Sequence, residues 1–366
     1  MKKNIIYYNS TLLKGGTDTY MLEIAKNVNK EKFQLDIIIK DGDYVDEFIL
    51  KTLKDNGCNV FLAKGSFLKR ILFLRKFFKK NKNKYDVCHI NATSQGTGII
   101  SYFAKKLGKI KTIIFHSHMG GNDNNKSIID KIGAKLMFKY STDFASCSNT
   151  ATLFMFGKDF CQKHKILKLN NSVNVQKFKF NIETRNQIRK ELNINDSDFV
   201  VLHVGRFAIQ KNHKKLIDIF AEIYKQKNNS KLLLIGNGDL FEDIKNYASK
   251  LNLSNNVIFL GLKNNVNDYM QAADCFVMPS IHEGLPIVAV EAQTSGLHCI
   301  LSSNISPETK LSEFVEFIDI NKSDSEWAIK ILNLKQINRN LGADFIINHS
   351  FDHESAIKKI EELYSK

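Results

Sequence analysis

Short runs of aliphatic and β-branched residues alternate with amphipathic stretches along the whole chain, and no other feature constrains its fold as strongly. Runs of four to six such residues are the signature of parallel strands buried on both faces, and the stretches between them suit the helices that parallel crossovers require. Strands are expected at 4–8, 34–39, 59–62, 87–90, 112–115 and 144–146, and again at 199–204, 231–235, 257–260, 275–278 and 298–301. Between the two series Asn170-Asn-Ser-Val-Asn174 breaks the pattern before a new helix begins. The pattern therefore predicts an α/β protein of two doubly wound domains, residues 1–175 and 176–348, followed by a tail, 349–366, whose residues 352–364 form an amphipathic helix. A chain of 366 residues is long enough for two cores. No period of 20 to 50 residues points to a solenoid.

Composition removes several other classes. With 43% hydrophobic and 25% charged residues the chain is neither a disordered nor a fibrous protein. Its six cysteines show no CxxC and no nearby histidine spacing, so neither a zinc site nor a disulfide framework is expected, and the thiols suit a reducing compartment. Nowhere do ~18 apolar residues follow one another, and the short apolar run at Ile5–Tyr8 is no signal peptide. The expected location is cytoplasmic.

The net charge of +15 is concentrated in one region: residues 60–140 hold 17 Lys and Arg against three acids, and the rest is nearly neutral. The densest part predicts a helix in which Phe67, Ile71, Leu74 and Phe78 share a face, with Lys69, Arg70, Arg75, Lys76, Lys79 and Lys80 on the remainder. Such a helix either lies on an anionic lipid surface or packs on a core with a lysine-rich face in water. No nucleic-acid partner is expected, because no reader fold or stacking aromatics accompany the basic residues.

In open parallel sheets, ligands bind beyond the carboxyl ends of the strands. After the first strand, Gly15-Gly16 would let backbone N–H groups approach a phosphate at a helix N-terminus. The spacing is not GxGxxG, which disfavours a dehydrogenase. After the first strand of the second series, Arg206 and Lys211 can supply permanent positive charge to a diphosphate. The segment Cys275–Ala292 runs from a strand through Glu283-Gly284-Leu285-Pro286 into an apolar helix containing Glu291. A carboxylate there needs donors, and ribose hydroxyls would serve. If both acids lay on one helix they would be about 12 Å apart, too far for a glycosidase pair at ~5–9.5 Å but suited to gripping two ends of an elongated ligand. The DxD-like Asp41-Gly-Asp43 and Asp196-Ser-Asp198 sit where turns are expected, and at least one of His116 and His118 reads as a polar site group rather than a metal ligand.

Together these residues resemble the retaining GT-B glycosyltransferases of family 4. The most specific match is the E-x7-E motif Glu283–Glu291, within a signature that includes Val257–Gly261, Tyr269, Ala273-Asp274, Pro279-Ser280, Pro286 and Ala292. The resemblance implies two Rossmann-like domains facing across a cleft, acceptor side first and nucleotide-sugar side second, with the tail helix crossing back to the first. It also implies residue roles: Gly15 and Gly16 near donor phosphate and acceptor, and Arg206 and Lys211 on the diphosphate with no metal or other cofactor. Gly236 and Asn237 form the next loop, Gly261 and Leu262 hold the base, and the Gly284, Leu285 and Pro286 segment faces the phosphates. Glu291 binds the ribose, and Glu283 and His116 act on the transferred sugar.

The implied activity is transfer from a UDP-sugar or other nucleoside diphosphate sugar to a glycan acceptor, lipid-linked, in bacterial surface polysaccharide assembly. The basic region would then meet an anionic acceptor or the inner membrane face. A non-catalytic partner protein of this fold would be expected to lose Arg206, Lys211, Glu283 or Glu291, all present here, and a sugar-nucleotide epimerase would not be expected to carry E-x7-E. Two departures stand out: Asn171-Ser-Val-Asn174 replaces N-G-V-D, and Asn212 replaces a frequent glycine.

Overall fold

In the computed structural model, which describes residues 2–13, 16–118 and 127–366, the chain divides into two compact units. The first comprises Met1–Ser172 with His353–Lys366, and the second Val173–Asp352. The expected junctions at 175 and 348 shift because Val173 N–H donates to Phe351 O at 2.8 Å and Val173 bridges Asp352, drawing both ends into the second unit.

The first unit is built on a parallel sheet of seven strands: β1 (Lys3–Asn9), β2 (Phe33–Ile39), β3 (Asn59–Leu62), β4 (Val87–Ala92), β5 (Thr112–Ser117), β6 (Asp143–Ser146) and β7 (Ile166–Lys168). Their spatial order is 3-2-1-4-5-6-7. Because side chains alternate, each strand feeds two cores. Ile5, Tyr7, Ile37, Val87 and Ile114 pack on one face with Met21, Ile24, Leu53, Ile360, Leu363 and Tyr364. Ile6, Tyr8, Cys88, Ile90 and Phe115 pack on the other with Leu74, Phe77, Phe78, Phe103 and Met137. The last helix, His353–Ser365, is thus a structural part of the first unit.

The second unit repeats the plan with six parallel strands: β8 (Phe199–Val204), β9 (Ser230–Ile235), β10 (Val257–Gly261), β11 (Cys275–Met278), β12 (His298–Ser302) and β13 (Val315–Ile318), in the order 10-9-8-11-12-13. Leu202, Leu233, Phe276 and Leu301 face Ile188, Met270, Val290 and Ile346, and Val201, Leu232, Val277 and Ile300 face Leu216, Phe220, Ile223 and Trp327.

Two strands escape the sequence pattern, and both lie at sheet edges. β7 has three residues, none fully buried, and β13 has one buried valine followed by three half-buried residues, Glu316 among them, so neither shows the apolar run of an interior strand. Within each unit the strands run parallel, so the loops that follow their carboxyl ends, and that carry the candidate residues, emerge along one edge of that unit's own sheet.

Candidate active site

In the second unit three strand ends are stitched together. Gly205 N–H donates to Ile235 O, Gly236 N–H to Gly261 O and Phe207 N–H to Asn237 O, each at 2.9–3.0 Å. The loops after β8, β9 and β10 thereby form a pocket of about 430 Å³ lined by Val204, Gly205, Arg206, Ile235, Gly236, Asn237, Leu262, Lys263 and Val266. This close approach needs glycine: at Gly236, with φ of +142°, an added Cβ would lie 2.0 Å from the Gly205 carbonyl oxygen. Leu262 stands exposed at the rim, and the Arg206 side chain is largely in solvent, 3.4 Å from the Asp239 carboxylate.

Lys211 and Glu283 are brought together by loop-to-loop hydrogen bonds. Ile281 N–H donates to Gln210 O at 2.8 Å, the Gln210 amide to His282 O at 2.9 Å, and the Asn212 amide to Pro279 O at 3.1 Å. Asn212 has φ of +56°, a left-handed conformation that asparagine tolerates, which accounts for its standing where glycine is frequent. With the loops fastened, Lys211 Nζ lies 2.6 Å from Glu283 Oε1, both side chains mostly buried. In the interdomain segment Asn174, where the family has Asp, caps the next helix by accepting from Lys177 N–H.

The structure corrects the helical spacing of the two acids. The helix begins only at Ile287, with Pro286 at its cap, so Glu283 belongs to the preceding loop, where it bridges Ile305. Glu291 alone is on the helix, and burial pushes its carboxyl up to about 7, with Lys177 pulling it back down. At Gly284 an added Cβ would meet nothing within 4 Å, so the backbone there is open to a ligand.

In the first unit, Gly15 lies outside the described residues and Gly16 opens the helix Gly16–Asn27. Buried Asp18 ties this helix to the end of β1, accepting from Leu13 N–H at 2.9 Å and from the Asn9 amide at 2.7 Å. Asn91 on β4 donates in turn to Asn9 Oδ1 at 2.7 Å. His116 is fully buried on β5, and the half-buried His118 ring lies tilted beside it, with centroids 4.0 Å apart. His116 Nδ1 lies 3.2 Å from both His118 Nε2 and His89 Nε2, and His89 Nδ1 lies 2.8 Å from Tyr364 Oη. Burial holds His116 well below the ordinary imidazole range, helped by His118 and His89 and opposed by the Leu169 backbone. It also takes His89 and His118 down to about 3, so all three rings are neutral at neutral pH.

The basic helix runs from Phe67 to Lys80, with Leu74, Phe77 and Phe78 buried and Lys69, Arg75, Lys76, Lys79 and Lys80 exposed. Arg70 differs from its expected place in water: its guanidinium turns inward to the carboxylates of Asp41 and of Asp43, the latter at 2.8 Å. Asp43 and Arg70 each favour the other's charged form. Among the described residues, no cluster of three or more His, Cys, Asp or Glu side chains could hold a metal ion, and no helix is long and apolar enough to cross a membrane.

The sequence reading missed Lys263, which adds a cation to the strand-end pocket, and it missed His89 and Tyr364. Lys263 could have been found from its place right after Gly261-Leu262. The other two have no motif: His89 meets His116 from the neighbouring strand, and Tyr364 meets His89 through the returning tail.

Residues 184–348 match the family described as glycosyl transferases group 1. The chain is 30% identical to the UDP-Gal:alpha-D-GlcNAc-diphosphoundecaprenol alpha-1,3-galactosyltransferase of Escherichia coli, over 96% of this chain and 94% of that one. It is 25% identical to the capsular polysaccharide biosynthesis glycosyltransferase CapH of Staphylococcus aureus, over 98% of each. Among solved structures, Alr3699/HepE of Anabaena in complex with UDP superposes over the full length of both chains, with a TM-score of 0.80 at 18% identity. The two parallel-sheet units are thus those of the GT-B fold, and the chain belongs to the glycosyl transferases group 1 family of glycosyltransferases.

Proposed function

We propose that the chain transfers a sugar from a UDP-sugar to a hydroxyl of a lipid-linked glycan acceptor in bacterial surface polysaccharide assembly, with anomeric configuration retained and no metal. The observation that carries this reading is the second unit's row of strand-end loops. A pocket sized for a nucleoside opens beside Arg206 and Lys263, and Lys211 and Glu283 are paired within the same unit. Gly261 and Leu262 hold the base and Glu291, as carboxylate, accepts from the ribose hydroxyls. Gly236 and Asn237 form the loop after the next strand. Arg206, Lys211 and the amides of Gly284 and Leu285 take the charge that develops on the diphosphate. The related galactosyltransferase, named for a UDP-Gal donor and a diphosphoundecaprenol acceptor, supports both the donor and the acceptor class.

In the reaction the bond from the anomeric carbon to the phosphate oxygen breaks as the acceptor oxygen bonds to the same face. The acceptor's proton passes to the departing phosphate oxygen. The family resemblance gives Glu283 and His116 roles on the transferred sugar, and Gly15 and Gly16 a role at the donor phosphate. The first unit carries the acceptor. A groove of about 500 Å³ lined by Tyr8, Phe67, Ile71, Ile129 and Ile132 suits an apolar chain. Exposed Lys69, Arg75, Lys76, Lys79 and Lys80 would face anionic headgroups on the inner membrane face.

Calorimetric titration of UDP, GDP and ADP without metal, into wild type and Glu291→Ala, tests the donor site. UDP is expected to bind selectively and at least tenfold more weakly to the variant, the loss of one to two hydrogen bonds to a charged group. Binding of none of the three would overturn the reading, and an inverted anomer in the product would overturn retention.

A further inference from the structure

The His89–Tyr364 contact lies outside every role assigned so far, yet it ends on the ring of His116. Tyr364 comes from the last helix and is fully buried; its hydroxyl reaches His89 Nδ1 at 2.8 Å and has no other hydrogen-bond partner among the described residues. A buried hydroxyl proton without an acceptor is costly, so Tyr364 donates and His89 Nδ1 accepts. A neutral imidazole carries one N–H, which puts the His89 proton on Nε2, 3.2 Å from His116 Nδ1. His116 Nδ1 is therefore the bare nitrogen, and the His116 proton is on Nε2. His118 Nε2, also 3.2 Å from His116 Nδ1, must be a donor as well, since two facing lone pairs would repel. Two donors sharing one lone pair accounts for both contacts being longer than the 2.8 Å bond at the start of the chain.

We propose that Tyr364 and His89 are positioning residues for sugar transfer: through the chain Tyr364–His89–His116 the last helix fixes which nitrogens of the His116–His118 pair carry protons, leaving His118 Nδ1 as the acceptor presented to a substrate hydroxyl. His118 takes this part because it is half-buried, whereas His116 is fully enclosed with Nε2 making no hydrogen bond of good geometry. Tyr20, from the helix opened by Gly16, closes over both rings with centroids 5.2 and 4.9 Å away. The inference rests on the glycosyltransferase reading of this unit for its consequence, but the arrangement of protons stands on the contacts alone.

The test uses the full chain labelled with ¹⁵N-histidine, with long-range ¹H–¹⁵N correlation to read each ring's tautomer and His89→Gln, His116→Gln and His118→Gln to assign the signals. Wild type is expected to show Nε2–H on all three rings. In Tyr364→Phe the His89 Nδ1 signal is expected to shift as its donor is lost, and part of the His89 and His116 population to convert to Nδ1–H. Turnover, followed as UDP release from UDP-galactose and UDP-glucose, should fall roughly tenfold in kcat with KM and UDP affinity unchanged. Leu363→Ala removes packing from the same helix without touching the chain, so it should lower the melting temperature and leave both the nitrogen pattern and kcat in place. Nδ1–H on His89 or His116 in wild type, or a Tyr364→Phe variant that changes neither nitrogen pattern nor kcat, would overturn the proposal. So would an equal loss of kcat in Leu363→Ala, which would mean packing alone. A wild type that neither binds UDP nor releases it from either sugar nucleotide would instead sink the glycosyltransferase reading, and the tautomers would still decide the proton arrangement.

Discussion

Glu291 is held in an apolar helix whose surroundings favour the uncharged acid. With its pKa raised from 4.5 to about 7, the folded chain binds a proton that the unfolded chain has already released between those values. Stability from this group is therefore complete below about pH 4.5 and is lost as pH rises through 7, by on the order of 3 kcal/mol. Glu291→Gln, neutral throughout, should match wild type near pH 4 and exceed it at pH 8 in urea unfolding without nucleotide. Equal midpoints at both pH values would show that burial does not penalise the charge. The importance of Glu291 and Glu283 could be read from their spacing and from the glycine and proline between them. That Glu283 stands opposite Lys211 could not, because the contact depends on Gln210 and Asn212 fastening one loop to the other, and no local pattern announces such fasteners.

At the scale of elements, interior strands were legible because they are apolar on both faces, and the two that were not, β7 and β13, are short edges with one side toward water. Loops between strands were legible as positions but not as shapes. The strand-end pocket is a case in point: its floor is made by backbone bonds among three loops, and its tightest spot is the approach of Gly236 to Gly205. Gly236→Ala would have to push those loops apart while holding alanine at a φ it rarely adopts. The expected cost is about 2–4 kcal/mol of stability, from overpacking and backbone strain together, with loss of UDP binding. Urea denaturation and calorimetry check both; a variant that binds UDP as wild type does would mean that the loops yield easily.

At the scale of the molecule, the sequence conveys two sheets and a tail helix, whereas the face that the helix covers comes only from the structure. Ile360, Leu363 and Tyr364 are buried against β1 and β4 side chains in the first unit's core. Removing residues 353–366 would expose that surface, worth about 5–8 kcal/mol for three large side chains. That is a large part of a domain's ~5–15 kcal/mol. The shortened chain should melt in two steps, with the first unit unfolding well below the second, in scanning calorimetry. A single transition at the wild-type temperature would show that the helix is dispensable.

The same helix sets an order of events at the ribosome. The first unit begins the chain, but its missing face is synthesised only after residues 173–352, the whole of the second unit. At ~5–20 residues per second that interval is on the order of 10–40 s, during which the sheet around Tyr7 and His89 is uncovered in the nascent chain. The second unit is therefore the first that can finish folding, and the first unit waits as a natural client for a chaperone until its last helix is made.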